Sequence, residues 1–374
     1  MANLGATLDT TNVLTFLRNH AVASYANIEA GLPRYPVCLW GKHGIGKSDV
    51  VSHLADGDNP IANEVIVLSL AEIEEMGDML GLPIIDTVNG RQVTKTAPPD
   101  WVPAEDDERK FIIVIDDFNR ADLRMIKGIM RLLLEYKMTS WKLPKRTLIM
   151  LTGNPPDDNY SVAALDDAIY TRMINVTMRP DIAAWLTWAE TKKIAPAVMN
   201  FLARYPNMLC SDTGLTCPRT WAMFGLAIRS LEDLKANTAM INSYGAGMLS
   251  TEAVANFIKF VDGELEFVVE PDAIAHHYHD EDIRQRVHEA LAQRRFDIIN
   301  VILERLTAWI ASRKAPRKGG QIHKNIVTFL EEEALSKDLK YDYINRINKG
   351  PMEDMIVSNT LTIQLGTLLR TVTP

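Results

Sequence analysis

The chain has 374 residues, of which 47% are hydrophobic and 24% are charged, which are the proportions of an ordinary globular protein. This length predicts two or three domains. The formal net charge of −8 disfavours nucleic acid as the main partner without excluding it, because phosphate backbones select basic surfaces. We find no apolar run long enough to span a membrane and no metal spacing among the three cysteines, so we expect a reduced, cytoplasmic protein that does not enter membranes.

The first predicted element is an amphipathic helix over residues 9–28. It begins with Asp9, Thr10 and Thr11, which are residue types that cap helix N-termini. Apolar residues then recur at helical spacing, and Gly31-Leu32-Pro33 ends the pattern. We therefore assign residues 1–30 to an N-terminal helix.

A glycine-rich loop follows a short apolar strand. It matches G-x-x-x-x-G-K-[ST], the phosphate-binding loop. The residues of the loop are Gly41, Lys42, His43, Gly44, Ile45, Gly46, Lys47 and Ser48. Glycines let backbone N–H groups curl around a phosphate, the lysine reaches the β- and γ-phosphates, and the serine hydroxyl binds Mg²⁺. The alternative is a chance glycine turn, but the preceding strand and the following helix favour binding of a nucleoside triphosphate.

Two β elements are predicted next. Residues 64–70 form an apolar run typical of a buried parallel strand. Residues 84–93 contain an Asn89-Gly90 pair between short β-like arms, which is a strong signal for a hairpin.

Carboxylates and an amide end two further predicted strands. Asp116 and Asp117 follow the apolar run 111–115, and Asn154 follows the run 148–152. Because ligands bind at the carboxyl ends of strands in open α/β sheets, we expect Asp116 to hold Mg²⁺ and Asn154 to polarise an attacking water. The alternative is that these are solvated loop acids and a turn asparagine before proline.

The remaining elements complete an α/β domain and then change character. A helix is predicted from Leu123 to about Tyr136, and residues 173–178 form a fifth strand. Five strands with intervening helices predict a doubly wound, mostly parallel sheet. From Pro180 onward the pattern is helical; we expect Thr216 to cap a helix whose first turn contains Arg219, a cation that is disfavoured there unless it meets an anion.

Several motifs in this order make residues 31–230 resemble AAA+ ATPases, specifically the MoxR-like branch that includes midasin and the dynein-related ATPases. The matching pieces are Gly41 to Ser48, then residues 78–83, 99–103, 116–121, 152–155, 165–172 and 217–219. The resemblance implies a P-loop α/β nucleotide-binding domain over residues 31–180 and a helical lid over 181–235. Residues 236–374, which the resemblance does not cover, have a helical pattern and are predicted to form an all-α C-terminal region.

The resemblance also implies roles for individual residues. Asn154 matches the sensor 1 position, and Arg219 matches the sensor 2 arginine that reaches the γ-phosphate from the lid. Arg172 matches the arginine finger that is presented to the nucleotide of a neighbouring subunit, with Arg120 as the second choice for such a contact. The Asn89-Gly90 hairpin matches the helix-2 insertion that faces the central channel of the ring.

One residue departs from the family pattern. The family usually follows its Mg²⁺-binding aspartate with a glutamate that orients water, and here that place holds Asp117. The carboxylate is drawn back by about one ångström, and a misplacement of that size can lower a rate about 10²-fold. We therefore expect slow but real turnover that requires Asp117.

The resulting expectation is an ATP-hydrolysing, Mg²⁺-dependent homo-oligomer, in the form of a hexameric ring, that remodels a protein partner. The resemblance adds a possible partner with a von Willebrand factor A domain. One alternative is a nucleic-acid motor or loader, for which Arg91, Lys95 and the basic loop 313–318 supply positive charge. Another is a nucleotide-gated scaffold with vestigial hydrolysis, which the shortened acid keeps open.

Overall fold

The computed structural model describes residues 4–56, 59–73, 75–156, 165–211, 214–313 and 319–332, together with Leu335, Lys340 and Tyr343. The chain divides into two compact units, Met1–Asp181 and Ile182–Pro374. The finer domain boundaries expected from the sequence stay predictions. Residues 314–318 of the basic loop and the end of the helical region from residue 344 lie outside the described residues. In the part of the chain that the structure describes, every helix is too short or too polar to cross a membrane.

The first unit contains the sheet. Its strands are β1 (Ala6–Asp9), β2 (Val37–Trp40), β3 (Glu64–Ser69), β4 (Leu82–Val88), β5 (Arg91–Ala97), β6 (Phe111–Asp116), β7 (Thr147–Gly153) and β8 (Ile174–Arg179). Its α-helices are α1 (Thr10–Glu29), α2 (Lys47–Ser52), α3 (Met76–Leu80), α4 (Leu123–Gly128), α5 (Met130–Glu135) and α6 (Asp167–Tyr170).

The main sheet has the strand order β1-β8-β2-β7-β6-β3, and every pairing in it is parallel. This confirms the predicted α/β class and the positions of all five predicted strands. The predicted burial of β3 was wrong, because β3 lies at the edge of the sheet and is partly exposed. The predicted number of strands was wrong, because β1 adds a sixth strand beside β8. The four residues of this edge strand lack the apolar run from which a strand would be predicted. It also depends on Gly5, whose φ is +75° and where a Cβ would lie 1.7 Å from the carbonyl oxygen of Asn175.

Central strands are buried on both faces, as their continuous apolar runs predict. In β6, Ile112 and Val114 belong to the core that includes α1 and α2, whereas Ile113 and Ile115 belong to the core that includes α4 and α5. Helices therefore cover both faces of the sheet, which is the doubly wound arrangement.

The predicted hairpin is confirmed as β4 and β5, which pair antiparallel as a separate two-stranded sheet. Asn89 and Gly90 form its turn with φ of 51° and 76°. Both values lie in the left-handed region that a two-residue hairpin turn needs.

The predicted helix from Leu123 to Tyr136 is broken into α4 and α5. Ile129 ends the first segment, and its N–H donates to the carbonyl oxygen of Met125 at 3.1 Å. A Cβ at Gly128 would lie 1.8 Å from the terminal carbon of Met76, so the missing side chain makes room for that methionine. Helical periodicity reveals neither the interruption at Ile129 nor this tertiary contact.

The second unit is all-helical among the described residues. Its α-helices are α7 (Ile182–Thr191), α8 (Pro196–Arg204), α9 (Pro218–Ala227), α10 (Thr238–Met248), α11 (Thr251–Gly263), α12 (Pro271–His277), α13 (Glu281–Ala292), α14 (Phe296–Ala311) and α15 (Gln321–Glu331). One hydrophobic cluster extends from Trp185 to Tyr343, so the regions expected to form the lid and the C-terminal part share a core.

The predicted cap of α9 was wrong. Cys217 occupies the N-cap position, and its N–H donates to the hydroxyl of Thr220 at 2.9 Å. The hydroxyl of Thr216 is engaged elsewhere, because it accepts the N–H of Ser250 at 2.9 Å. A contact 34 residues away in sequence therefore decides which residue caps the helix.

A buried ion-pair network joins several helices of the second unit. The side chain of Arg305 on α14 is 2% exposed and donates to Glu190 at 2.8 Å and to Glu270 at 3.3 Å. It also donates to the amide oxygen of Asn200, whose NH₂ group donates to Glu270 at 2.7 Å. Such a network is strongly weakened by removing one member, because buried charge is then left unpaired.

Candidate active site

The glycine-rich loop connects β2 to α2 at the carboxyl edge of the sheet. Gly44 and Gly46 have φ of 69° and 92°, in the region where L side chains are strained. The N–H of Gly41 donates to the carbonyl oxygen of Gly153 at 3.1 Å, which ties the start of the loop to the end of β7. The loop thus has the backbone that its glycines predict, next to the strand that leads to Asn154.

Lys47 points into this loop and is 6% exposed. Its ammonium donates to the carbonyl oxygens of Gly41 at 2.9 Å and Lys42 at 3.1 Å, and to the amide oxygen of Asn154 at 3.1 Å. The predicted phosphate-binding lysine and the predicted water-polarising asparagine are therefore in direct contact.

Asp116 at the end of β6 receives two hydroxyl groups. Its Oδ1 accepts from Ser48 Oγ at 2.5 Å and from Thr152 Oγ1 at 2.6 Å. Hydroxyl and carboxylate oxygens are ligands that Mg²⁺ prefers, and adjacent ligands of an octahedral Mg²⁺ lie about 3 Å apart. Ser48 and Asp116 therefore fit the predicted metal site in chemistry, and their oxygens need only a small separation to accept the ion.

Asp117 turns away from its neighbour because its backbone is left-handed, with φ 44° and ψ 40°. Its N–H donates to Thr152 Oγ1 at 2.9 Å. One carboxylate oxygen accepts from the amide NH₂ of Asn154 at 3.0 Å, and the other contacts Nε of Arg120 at 3.2 Å. The predicted water-orienting acid is thus held from two sides.

The sequence did not predict two supporting residues of the site, Thr152 and Asn119. Thr152 bridges the two aspartates, as described above. Asn119 is 1% exposed and forms a pair of hydrogen bonds with the backbone of Asn154, one of 2.7 Å to its carbonyl oxygen and one of 3.1 Å from its N–H. A threonine in an otherwise apolar strand, two residues before Asn154, was a usable signal for the first.

The two remaining arginines lie outside this network. The guanidinium of Arg172 turns back to the carbonyl oxygen of Ala168 at 2.5 Å, and its Nε is buried without a hydrogen-bond partner among the described residues. Arg219 is exposed in the first turn of α9, which belongs to the second unit. The trans role of Arg172 and the lid role of Arg219 stay predictions.

No protein-family model and no curated protein matches the sequence. Among solved structures, the chain is similar to RuvB of Thermotoga maritima in three forms. One mutant of RuvB has 13% identity and a TM-score of 0.35, with 66% of this chain and 68% of that chain covered. A second mutant has 13% identity and a TM-score of 0.35, with coverage of 71% and 78%. The RuvB Holliday junction branch migration motor has 14% identity and a TM-score of 0.33, with coverage of 65% and 67%.

Proposed function

We propose that the chain binds ATP and hydrolyses it to ADP and phosphate, as an ATPase of the AAA+ type. The observation that carries this proposal is the gathering of Lys47, Ser48, Asp116, Asp117 and Asn154 at one edge of a parallel sheet. They come from three separate segments of the chain. Hydrogen bonds of 3.0–3.1 Å join Asn154 to Lys47 and to Asp117, and one of 2.5 Å joins Ser48 to Asp116.

Each residue has a chemical task in this proposal. Lys47 leaves the loop carbonyls and binds the β- and γ-phosphates, while the N–H groups of the glycine-rich loop surround them. Ser48 and Asp116 hold Mg²⁺, which neutralises charge that develops on the phosphates. Asp117 accepts a hydrogen bond from the attacking water, and Asn154 polarises the same water. Catalysis here is mostly positioning, because phosphoryl transfer asks little covalent chemistry of the protein.

We further propose the MoxR-like arrangement, in which the subunits form a ring and remodel a protein partner. The family resemblance implies six subunits in this ring. Arg172 would complete the site of the neighbouring subunit, and such a finger can raise the rate by about 10³–10⁵. Arg219 would contact the γ-phosphate from the helical unit. A partner with a von Willebrand factor A domain belongs to the same proposal, which the motif order in the sequence supports.

The first experiment measures binding of a fluorescent ATP analogue and release of phosphate, both with Mg²⁺. We expect Lys47→Ala to lose binding and hydrolysis, because the loop then lacks its phosphate-binding cation. Lys127→Ala is the matched control, since Lys127 is an exposed lysine on α4 of the same unit. Equal binding by wild type and Lys47→Ala would refute a phosphate-binding role for the loop.

A second set of measurements separates the expected function from its alternatives. If the active site is shared between subunits, the rate of hydrolysis per subunit should fall when the protein is diluted, and it should also fall in Arg172→Ala. Full activity of a monomer would refute a shared site. An Asp117→Ala variant that hydrolyses ATP at the wild-type rate would remove Asp117 from its role. Salt-sensitive stimulation by DNA would favour the motor, and assembly with ATP but without hydrolysis would favour the scaffold.

A further inference from the structure

The ion pair between Arg120 and Asp117 has no function in the site as described above. Arg120 was considered only as a second choice for a contact with a neighbouring subunit. We propose instead that Arg120 is a positioning residue within its own subunit, which fixes the carboxylate of Asp117 for the water that attacks ATP. This inference rests on the proposed ATPase function and deepens it.

The local backbone brings the two side chains together. After Asp117 enters the left-handed region, the chain forms a short 3-10 helix, Phe118–Arg120, and the N–H of Arg120 donates to the carbonyl oxygen of Asp117 at 2.9 Å. The side chain of Arg120 then returns over the same residue, with its Nε 3.2 Å from Oδ2 of Asp117. The ion pair is therefore part of one tight turn directly after β6.

The pair holds the side of the carboxylate that nothing else in this network reaches. Asn154 donates to Oδ1 of Asp117, and Arg120 contacts Oδ2. The side chain of Asp117 is 32% exposed, so without Arg120 the carboxylate can rotate about its last bond toward solvent. A carboxylate offers about four acceptor positions, so the hydrogen bond from Asn154 and the ion pair with Arg120 leave room for a bound water. Arg120 thus restricts the acid without using up its capacity to orient that water.

This restriction of the carboxylate matters because Asp117 has a short side chain. Aspartate has one methylene fewer than glutamate, so its reach cannot be adjusted by an additional rotatable bond. The hydrogen bond from Asn154 and the ion pair with Arg120 compensate by reducing the positions that the carboxylate samples. Asn154 also accepts from Lys47, so the contacts run from the phosphate loop through Asn154 and Asp117 to Arg120. These contacts fix the position of the Asp117 carboxylate relative to the phosphate-binding loop.

The test compares ATP hydrolysis by the wild type with that of Arg120→Ala, Arg120→Lys and Arg124→Ala. Loss of a positioning contact at the reacting centre predicts a decrease in kcat of about 10- to 100-fold for Arg120→Ala, with KM for ATP nearly unchanged. Arg120→Lys keeps a cation that can contact the carboxylate and recovers part of kcat. Arg124→Ala is the matched control, because Arg124 is 95% exposed and lies 3.8 Å from the surface residue Asp122. Its activity should equal that of the wild type.

Mixing subunits distinguishes action within a subunit from action on a neighbour. Arg120→Ala protein is mixed with Asp117→Ala protein, and hydrolysis is compared with the sum of the two alone. A residue that acts on its neighbour would be supplied by the Asp117→Ala subunit, so activity would rise above the sum and overturn the proposal. We expect the sum, because each variant site lacks one member of its own ion pair.

The thermal unfolding of each variant shows that it is folded before its kinetics are compared. A kcat of Arg120→Ala equal to that of Arg124→Ala would also overturn the inference, while leaving the ATPase proposal intact. Absence of ATP hydrolysis by the wild type would refute the ATPase proposal, and the inference with it.

Discussion

The hydroxyl of Thr152 gives a prediction that tests the site without touching a charged residue. Thr152 is fully buried near the end of β7, where it donates to Asp116 at 2.6 Å and accepts the N–H of Asp117 at 2.9 Å. Thr152→Val keeps the shape of the side chain and removes both hydrogen bonds. The same change at Thr147 provides the control, because Thr147 lies on the same strand, is equally buried, and has a hydroxyl without a hydrogen-bond partner among the described residues.

The two substitutions should have different effects on the free energy of unfolding. A hydrogen bond to a charged group contributes about 1.5–3 kcal/mol, and a buried N–H left unpaired costs about 1–3 kcal/mol. Because Asp116 is only half-buried and water can replace part of the lost contact, we expect Thr152→Val to lower the free energy of unfolding by about 2–4 kcal/mol. Thr147→Val should be neutral or stabilising, because it replaces an unpaired buried hydroxyl by a methyl group.

Urea unfolding of the two variants and the wild type measures this difference, and the comparison between two variants of one strand cancels errors that affect both. ATP hydrolysis measured on the same samples should fall in Thr152→Val and stay at the wild-type rate in Thr147→Val, because both aspartates lose their shared anchor only in the former. If the two variants were equally stable and equally active, the hydroxyl of Thr152 would not hold the aspartates as the structure indicates.

Three further predictions concern the framework around the site. Arg305→Ala should lower the free energy of unfolding by about 3–5 kcal/mol, because it removes the cation 2.8 Å from Glu190, a carboxylate that is only 8% exposed. Lys235→Ala, which removes an exposed ion pair, should change it by about 0–1 kcal/mol in urea titrations. Gly5→Ala should release β1 from the sheet and raise amide hydrogen exchange there, since its Cβ would collide with the carbonyl oxygen of Asn175. Gly31 has a similar φ but open space around its Cβ position, so Gly31→Ala should lower the free energy of unfolding by only about 1–2 kcal/mol. Burial raises the pKa of Cys38 well above its usual range, so a thiol reagent at pH 8 should leave Cys38 unmodified until the protein unfolds.

The sequence was sufficient for the parts of the fold that have a local cause. Five strands were predicted because each contains several apolar residues in succession; of these, β2, β6 and β7 are buried on both faces, whereas β3 and β8 are partly exposed. The hairpin was predicted because Asn89 and Gly90 both tolerate a positive φ. In contrast, β1 was missed because its pairing depends on the close approach of Gly5 to another strand. The interruption at Ile129 was missed because the apolar residues keep helical spacing across it.

The same distinction holds within the site. Lys47, Ser48 and Asp116 were predicted to meet because motif spacing and the edge of a parallel sheet determine where they lie. Asn119 and Arg120 could not be placed in the same way. Their contacts depend on the left-handed backbone after β6, and a sequence of two aspartates does not specify that backbone.

That backbone also offers a physical reason for the aspartate at position 117. Asp116 ends β6 and is directed to Ser48, whereas the left-handed conformation of the next residue directs its carboxylate to Asn154. Aspartate enters this conformation more readily than most residues with a side chain, because its short polar group forms hydrogen bonds nearby. The short side chain is therefore linked to the turn that separates the two carboxylates, and the hydrogen bond from Asn154 and the ion pair with Arg120 restrict the positions of its carboxylate.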